Sequence, residues 1–236
     1  MSRIERGLKL RWHRELASSP QTHAWALNLY RAGEKHPQTV DDYFPHAHAE
    51  EPWLIEALRR HEADEARHTW LYTQAIRELG QPVEELNGTD VFNQVIRQHT
   101  DARFDIRDGM SRDEKRFRIG HFLAHAHFLE VRISQSLEWH VEACEQMGAR
   151  AIGAVVAEVL ADEERHVSYT RSAAMELLGS KAKEVLAIHQ AGERRANFDF
   201  SQHAVRGFLA RFGRRSPTHL WFGWSAQVMR AGVALV

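Results

Sequence analysis

The chain has 236 residues, 43% of them hydrophobic, and a formal net charge of −1 at pH 7. A chain of this size can bury a full core, and its even charge balance gives no electrostatic case for nucleic acid as the main partner. Its single cysteine excludes an internal disulfide, and the lack of a run of about 20 apolar residues predicts a soluble, cytoplasmic protein without a membrane span.

The composition, poor in proline and rich in Ala, Leu, Glu and Arg, predicts an all-α protein with four long helices. The first helix contains Glu34 and meets Pro37, so it either bends there or ends near Lys35. A long crossover containing one short helix separates the second helix from the third. The bounds predicted for the other three long helices are residues 51–79, 112–148 and 150–178.

Two hexapeptides, ADEARH at 63–68 and ADEERH at 161–166, repeat one motif. Residues three apart share a helix face, so each copy offers one carboxylate and one imidazole to a common point. The pairs are Glu65 with His68 and Glu163 with His166. Both lie on apolar stripes with three-to-four spacing, which predicts that they face the core. Carboxylate oxygen with imidazole nitrogen suits Fe, Mn or Zn.

Two further glutamates are candidate ligands because of their position relative to the interhelical turns. In an antiparallel helix pair, a partner ligand lies as far before the turn as the Glu-x-x-His motif lies after it. This rule selects Glu130 for the third helix and Glu34 for the first. Glu138 and His127 compete with Glu130, and His36, His23 or Glu15 could replace Glu34. Glu62 and Glu158 either add ligands or lie at the solvent edge of the core.

Four carboxylates in a helical core would cost several kcal/mol each if they stayed charged and unpaired. Two divalent cations would balance four glutamates and leave two histidines neutral. The alternative is that both Glu-x-x-His pairs lie on solvated faces and bind nothing. Their repetition on two apolar stripes favours a metal site over surface pairs.

A lone glutamate followed by Glu-x-x-His, repeated, is the ligand pattern of ferritin-like di-iron carboxylate bundles, and residues 20–180 resemble that superfamily. The resemblance implies a ferritin-like four-helix bundle with a long crossover and additional C-terminal helices. It also implies two iron ions, or manganese, held by Glu34, Glu65, His68, Glu130, Glu163 and His166. By the same resemblance, Asp64 and Asp162 would each orient the histidine of the opposite half.

Tyr72 is the candidate catalytic residue besides the ligands. It follows His68 by four residues, a spacing similar to that of the radical tyrosine in the ribonucleotide reductase small subunit. A phenol near a di-iron site could carry an electron or tune oxygen chemistry. The alternative is a core tyrosine that contributes packing alone.

The resemblance divides the chain into a metal-binding bundle, 1–180, and a C-terminal extension, 181–236, which is rich in arginine and aromatic residues. We expect the extension to pack on the bundle or on a partner subunit, for example in a homodimer. The implied function is a non-haem di-iron oxidoreductase that uses dioxygen or peroxide, with an electron donor protein, to oxidise a small organic substrate. The alternative is a metal-binding protein for iron handling or oxidative-stress protection. A third reading is a tRNA-modifying hydroxylase.

Overall fold

The computed structural model describes residues 3–100, 105–107 and 109–213, which form α-helices, short 3-10 turns and loops without β-strands. The helices are α1 (Arg3–Leu16), α2 (Pro20–Lys35), α3 (Pro52–Glu78), α4 (Phe92–His99), α5 (Arg112–Met147), α6 (Arg150–Leu178) and α7 (Ala182–Phe212). The prediction of an all-α protein is therefore confirmed. Within the described ranges, none of these helices combines the length and apolar character that a membrane span requires.

The ends of the long helices follow from local sequence. Ser111 caps α5 in a capping box with Glu114, and the side chain of each residue accepts a hydrogen bond from the other's backbone N–H. Gly148 ends α5 with φ of 75°, a left-handed conformation that glycine adopts without strain. Pro52 opens α3, where no helical N–H partner is lost. The predicted bounds of α3, α5 and α6 agree with the structure to within one residue.

Four central helices pack as two pairs that meet each other, namely α2 with α3 and α5 with α6. Helices α5 and α6 pack along their length after the turn at Gly148, and α2 packs on α3. Contact between α3 and α6 joins the two pairs into a bundle. Helix α1 lies on α5 and α2, while α4 contacts α7.

Two apolar clusters lie at different heights in this bundle. Along α3, Leu54 and Leu58 belong to one cluster, whereas Tyr72 and Ile76 belong to the other. Helix α6 is divided in the same way, because Val156 and Val159 lie in one cluster and Ala173, Ala174 and Leu177 in the other. The residues between them on both helices are the repeated hexapeptides, so the polar motif is placed inside the core.

Pro37 ends α2 without displacing Glu34 from the core. The helix stops at Lys35, and a 3-10 turn, His36–Thr39, contains the proline. Of the two outcomes predicted for this proline, the structure has the helix end rather than the bend. Gln38 then donates a hydrogen bond to the backbone carbonyl of Glu65, which ties this turn to α3.

The described part of the C-terminal extension is the helix α7, which packs against α4, α5 and α6. Its buried Glu193 accepts a hydrogen bond of 2.6 Å from Arg132 of α5. Phe208 is fully buried in a cluster with Leu16 and Ala26. Residues 214–236, the remainder of the predicted extension, lie outside the described residues.

Candidate metal centre

The six residues predicted as metal ligands meet in the core, and each is at most 5% exposed. Helices α2, α3, α5 and α6 all contribute to this centre. The side chains form two overlapping groups, within each of which one ligand atom per residue lies within 4.8 Å of the others. One group is Glu34, Glu65, His68 and Glu163; the other is His61, Glu65, Glu130 and His166. Glu65 belongs to both groups and so lies between them.

Glu163 also lies between the two halves of the centre. Its Oε1 is 3.2 Å from Nδ1 of His68, and its Oε2 is 3.2 Å from Nδ1 of His166. Glu34 approaches the same nitrogen of His68 at 3.2 Å. Glu65 and Glu163 are therefore the two carboxylates placed to contact ions on both sides.

His61 is a seventh donor that the sequence reasoning missed. Its Nε2 lies 3.1 Å from Glu65 Oε1 and 3.4 Å from Glu130 Oε1. Its Nδ1 lies 2.7 Å from the Tyr169 hydroxyl, and its ring stacks on His166 with centroids 3.7 Å apart. The sequence feature that could have identified His61 is its spacing, because residues 61, 65 and 68 share one face of a helix.

The aspartates of the two hexapeptides contact the histidines crosswise. Nε2 of His68 lies 3.0 Å from Asp162, and Nε2 of His166 lies 3.3 Å from Asp64. Because a carboxylate accepts, each Nε2–H donates and leaves Nδ1 facing the glutamates, the arrangement typical of metal-ligating histidines. Arg165 pairs with both aspartates, which fixes their carboxylates from the surface side.

Burial divides the glutamates into two electrostatic types. Burial and the charge of Glu34 raise the pKa of Glu65 well above its ordinary value, and burial and the charge of Glu163 do the same for Glu130. Burial would raise the pKa of Glu163 too, but hydrogen bonds with His166 and His68 lower it instead. Burial would lower the pKa of His68, but hydrogen bonds with Glu163 and Glu34 raise it to about 9. Glu163 and His68 thus form a buried ion pair, and the neighbouring carboxyl groups of Glu65 and Glu130 resist ionisation.

The donor set fits two divalent cations. Among the described residues, Glu130 Oε2 is a buried oxygen without a hydrogen-bond donor. A buried oxygen left in this way costs about 1–3 kcal/mol, and more when it is charged. Cations of total charge 4+ would neutralise four carboxylates and supply the missing contacts. Oxygen and imidazole donors are those that iron and manganese accept.

None of the alternative ligands weighed from the sequence belongs to either group within the described residues; these are Glu15, His23, His36, Glu62, His127, Glu138 and Glu158. Glu138 is exposed, and His127 lies 3.2 Å from the Val167 carbonyl. Glu62 contacts His46 and Glu158 contacts Arg67, both at the surface. Glu130 and Glu34 are thus the residues that the fold brings to the centre.

Tyr72 lies one turn beyond His68 and is fully buried. Its ring centroid is 5.8 Å from that of Tyr30. Burial and the charge of Glu34 raise its pKa well above the ordinary value, so the phenol stays protonated. Its hydroxyl has no hydrogen-bond partner among the described residues.

A pocket of about 380 Å³ lies near the centre, and Tyr43 and Phe122 form part of its wall. Phe44 contacts both of these rings and lies 4.8 Å from the His61 ring, measured between centroids. Two aromatic rings in succession, a wall ring and then Phe44, therefore lie between the pocket and His61. Other residues lining the pocket are Val40, Asp41, Asp42, Pro45, His48, Arg97, Asp105, Ile106 and Arg107.

Comparison of the chain with protein-family models, curated proteins and solved structures finds no match. Sequence and fold similarity therefore assign no family and no activity. The features that point to a metal centre are its buried donors, their distances and the charge that they carry.

Proposed function

We propose that the chain is a ferritin-like di-iron oxidoreductase that uses dioxygen or peroxide to oxidise a small organic substrate. The observation that carries the proposal is the pair of overlapping donor groups that share Glu65 in the core. Four glutamates with crosswise Asp–His contacts match the ligand pattern of the di-iron carboxylate bundles. Manganese is the alternative ion, because it accepts the same donors.

The residues of the centre divide into ligands and groups that orient them. Glu34 and His68 would hold one ion, Glu130 and His166 the other, and Glu65 and Glu163 would contact both. His61 would add a neutral donor beside Glu130. Bound Fe(II) would supply the electrons for reduction of dioxygen or peroxide, and an electron donor protein would restore them.

The pocket supports an enzyme with a substrate over a protein that only handles iron. Its volume of about 380 Å³ is that of a small-ligand site. Tyr43, Phe44 and Phe122 would exclude water from the centre, with a wall ring and Phe44 between the substrate and His61. Apolar Val40 and Ile106 with polar Arg97 and Arg107 suit a small molecule that has both apolar and polar parts.

Iron loading of the full-length protein tests the proposal. Protein prepared without oxygen is titrated with Fe(II), its iron content is measured, and oxygen uptake and the optical spectrum are followed on adding air. We expect about two iron ions per chain and an optical change coupled to oxygen consumption. Glu163→Ala should lose both, whereas Glu164→Ala, at an exposed neighbouring position, should keep them.

Two results would overturn the proposal in different ways. If the folded protein binds no iron, the assignment of the iron centre is wrong. Iron that accumulates far beyond two ions per chain, with oxygen consumed in proportion, would identify an iron-handling protein instead.

A further inference from the structure

A second cluster of metal-binding side chains lies in the core, and it shares no residue with the glutamate centre. It consists of His23 on α2 and of His140 and Cys144, one turn apart, on α5. All three side chains are at most 2% exposed. Nε2 of His23 lies 2.9 Å from Nε2 of His140 and 3.7 Å from Sγ of Cys144. Two imidazoles and a thiol therefore converge on one point.

The spacing of these atoms matches the ligand shell of one small cation. Bond lengths of about 2.0–2.1 Å to nitrogen and about 2.3 Å to sulfur place tetrahedral ligands about 3.4 Å apart for two nitrogens and about 3.6 Å apart for nitrogen and sulfur. The observed nitrogen–sulfur separation of 3.7 Å agrees with the value for that pair, and the observed nitrogen–nitrogen separation of 2.9 Å is about half an ångström shorter than that of a tetrahedral shell. A slight opening of the two rings would admit the ion.

Neighbouring residues orient the ligands of this cluster. Nδ1 of His140 lies 3.2 Å from the Tyr30 hydroxyl and 3.2 Å from Nδ1 of His13. A histidine whose Nδ1 is engaged in this way presents Nε2 as the donor atom to a metal. Gly153 of α6 faces Cys144, where an added Cβ would lie 2.9 Å from the cysteine Cβ. This glycine lets α6 pack closely against the cysteine.

The charge state of the cluster differs from that of the glutamate centre. Burial lowers the pKa of His23 to about 4 and that of His140 well below its ordinary value, so both rings are neutral, as ligands must be. Burial raises the pKa of the Cys144 thiol to about 12. A bound cation would replace the thiol proton, which leaves to solvent as the metal–sulfur bond forms.

We propose that His23, His140 and Cys144 form a second, mononuclear metal site for zinc(II) or copper(I). Thiolate with imidazole selects these ions, whereas the oxygen-rich glutamate centre favours iron or manganese. The bound ion would join α2 to α5, and a solvent molecule would complete a four-coordinate zinc ion. The site does not depend on the function proposed for the glutamate centre.

Cobalt(II) titration of the full-length protein tests this site without interference from the glutamates. Cys144 is the single cysteine of the chain, so a thiolate-to-cobalt charge-transfer band reports this site alone. Under reducing, oxygen-free conditions we expect the band to saturate at one cobalt per chain. Zinc(II) or copper(I), added separately, should abolish it, and the ion that does so at the lower concentration is the preferred one.

Two substitutions make the titration decisive. Cys144→Ala keeps the Cβ packed against Gly153 and should lose the band, with helix content and iron binding at the glutamate centre unchanged. His23→Gln keeps the thiol and should weaken cobalt binding at least tenfold, whereas His203→Gln, at a half-exposed histidine, should not. Folded wild-type protein without the band, or Cys144→Ala with the band retained, would overturn the proposal. If Cys144→Ala does not fold, the wild-type spectrum and the comparison of His23→Gln with His203→Gln decide.

Discussion

The glutamate centre and the His23–His140–Cys144 cluster are both buried, but they differ in how their buried polar atoms are paired. The centre contains four carboxylates, and Glu130 Oε2 lacks a hydrogen-bond donor among the described residues. The second cluster contains no carboxylate, and its two imidazoles contact each other at 2.9 Å. Neutral donors can pair among themselves, whereas several carboxylates require an external positive charge.

This difference predicts different consequences of losing the metal. Without cations, burial and the repulsion of Glu65 by Glu34 and Glu130 remain, and together they raise the pKa of Glu65. Without its ion, the second cluster retains a hydrogen-bonded pair of neutral rings. We therefore expect the centre to depend on metal for its charge balance and the cluster to fold in either state.

The largest effect on iron binding and stability is expected at Glu163. Glu65 is the position to compare with it. Glu163→Ala should abolish iron binding and lower the free energy of unfolding of the metal-free protein by about 3 kcal/mol, because His68 and His166 lose a buried ionic partner. Glu65→Gln should also weaken iron binding severely, but should leave that free energy unchanged or raised, because it removes repulsion. Denaturant unfolding of chelator-treated proteins and iron analysis measure both effects.

The control for this pair is Glu164→Ala, whose side chain is exposed. It should change neither the iron content nor the unfolding free energy. Equal destabilisation by Glu163→Ala and Glu65→Gln would contradict the division of the glutamates into an ion-paired and a repelled type.

A substitution in the second cluster should lower stability without affecting iron binding, the opposite of Glu65→Gln. His140→Gln removes contacts with His23, Tyr30 and His13, so we expect a loss of about 1–3 kcal/mol in unfolding free energy and no change in iron content. Denaturant unfolding in the presence of a chelator and iron analysis on the loaded protein check this. Loss of iron in this variant would show that the two regions are not independent.

His61 should have a smaller effect, confined to the centre. Because its Nε2 faces Glu65 and Glu130, His61→Gln should lower iron affinity by about tenfold, in the range found when groups around a metal site are altered. Competition with a chelator of known affinity measures the change. His46→Gln, on the surface beside Glu62, is the matched control, and equal affinities in the two variants would exclude His61 as a donor.

The smallest effect is expected at the ion pair that ties the end of α7 to the loop after α3. Arg211 donates two hydrogen bonds to Glu84, at 2.6 and 3.0 Å, and these lower the pKa of that carboxyl. Arg211→Met should cost about 0.2–1 kcal/mol at neutral pH, because the pair is exposed.

The pH dependence of this pair has a definite sign. A lowered carboxyl pKa gives stability that is present above the ordinary pKa and is lost as pH falls through the lowered value. The difference between wild type and Arg211→Met should therefore shrink on acidification, as measured by denaturant unfolding at several pH values. A difference that grows on acidification would show that Arg211 acts through other contacts.

Helix bounds could be read from the sequence because their signals are local. Ser111, Gly148 and Pro52 set helix ends through their own backbone and side-chain properties. The six proposed ligands could be selected from the sequence, because helical spacing and the position of a turn relate them within one helix or one helix pair. His61 was also within reach, since it continues the stripe through Glu65 and His68.

The second cluster could not be predicted in this way. His23 and His140 are 117 residues apart, and no turn relates α2 to α5. Their contact depends on how α1 and α2 pack on α5, which is set by the whole core. The pocket beside Tyr43 likewise depends on segments from separate parts of the chain.

A two-iron centre is tested by an anomalous-scattering map, recorded at the iron edge, from crystals of the protein loaded anaerobically with Fe(II). We expect two iron peaks about 3–4 Å apart, with Glu65 and Glu163 contacting both. We also expect no iron between His23, His140 and Cys144. A single peak, no peak among the glutamates, or a carboxylate set that excludes Glu65 would contradict the two-iron centre.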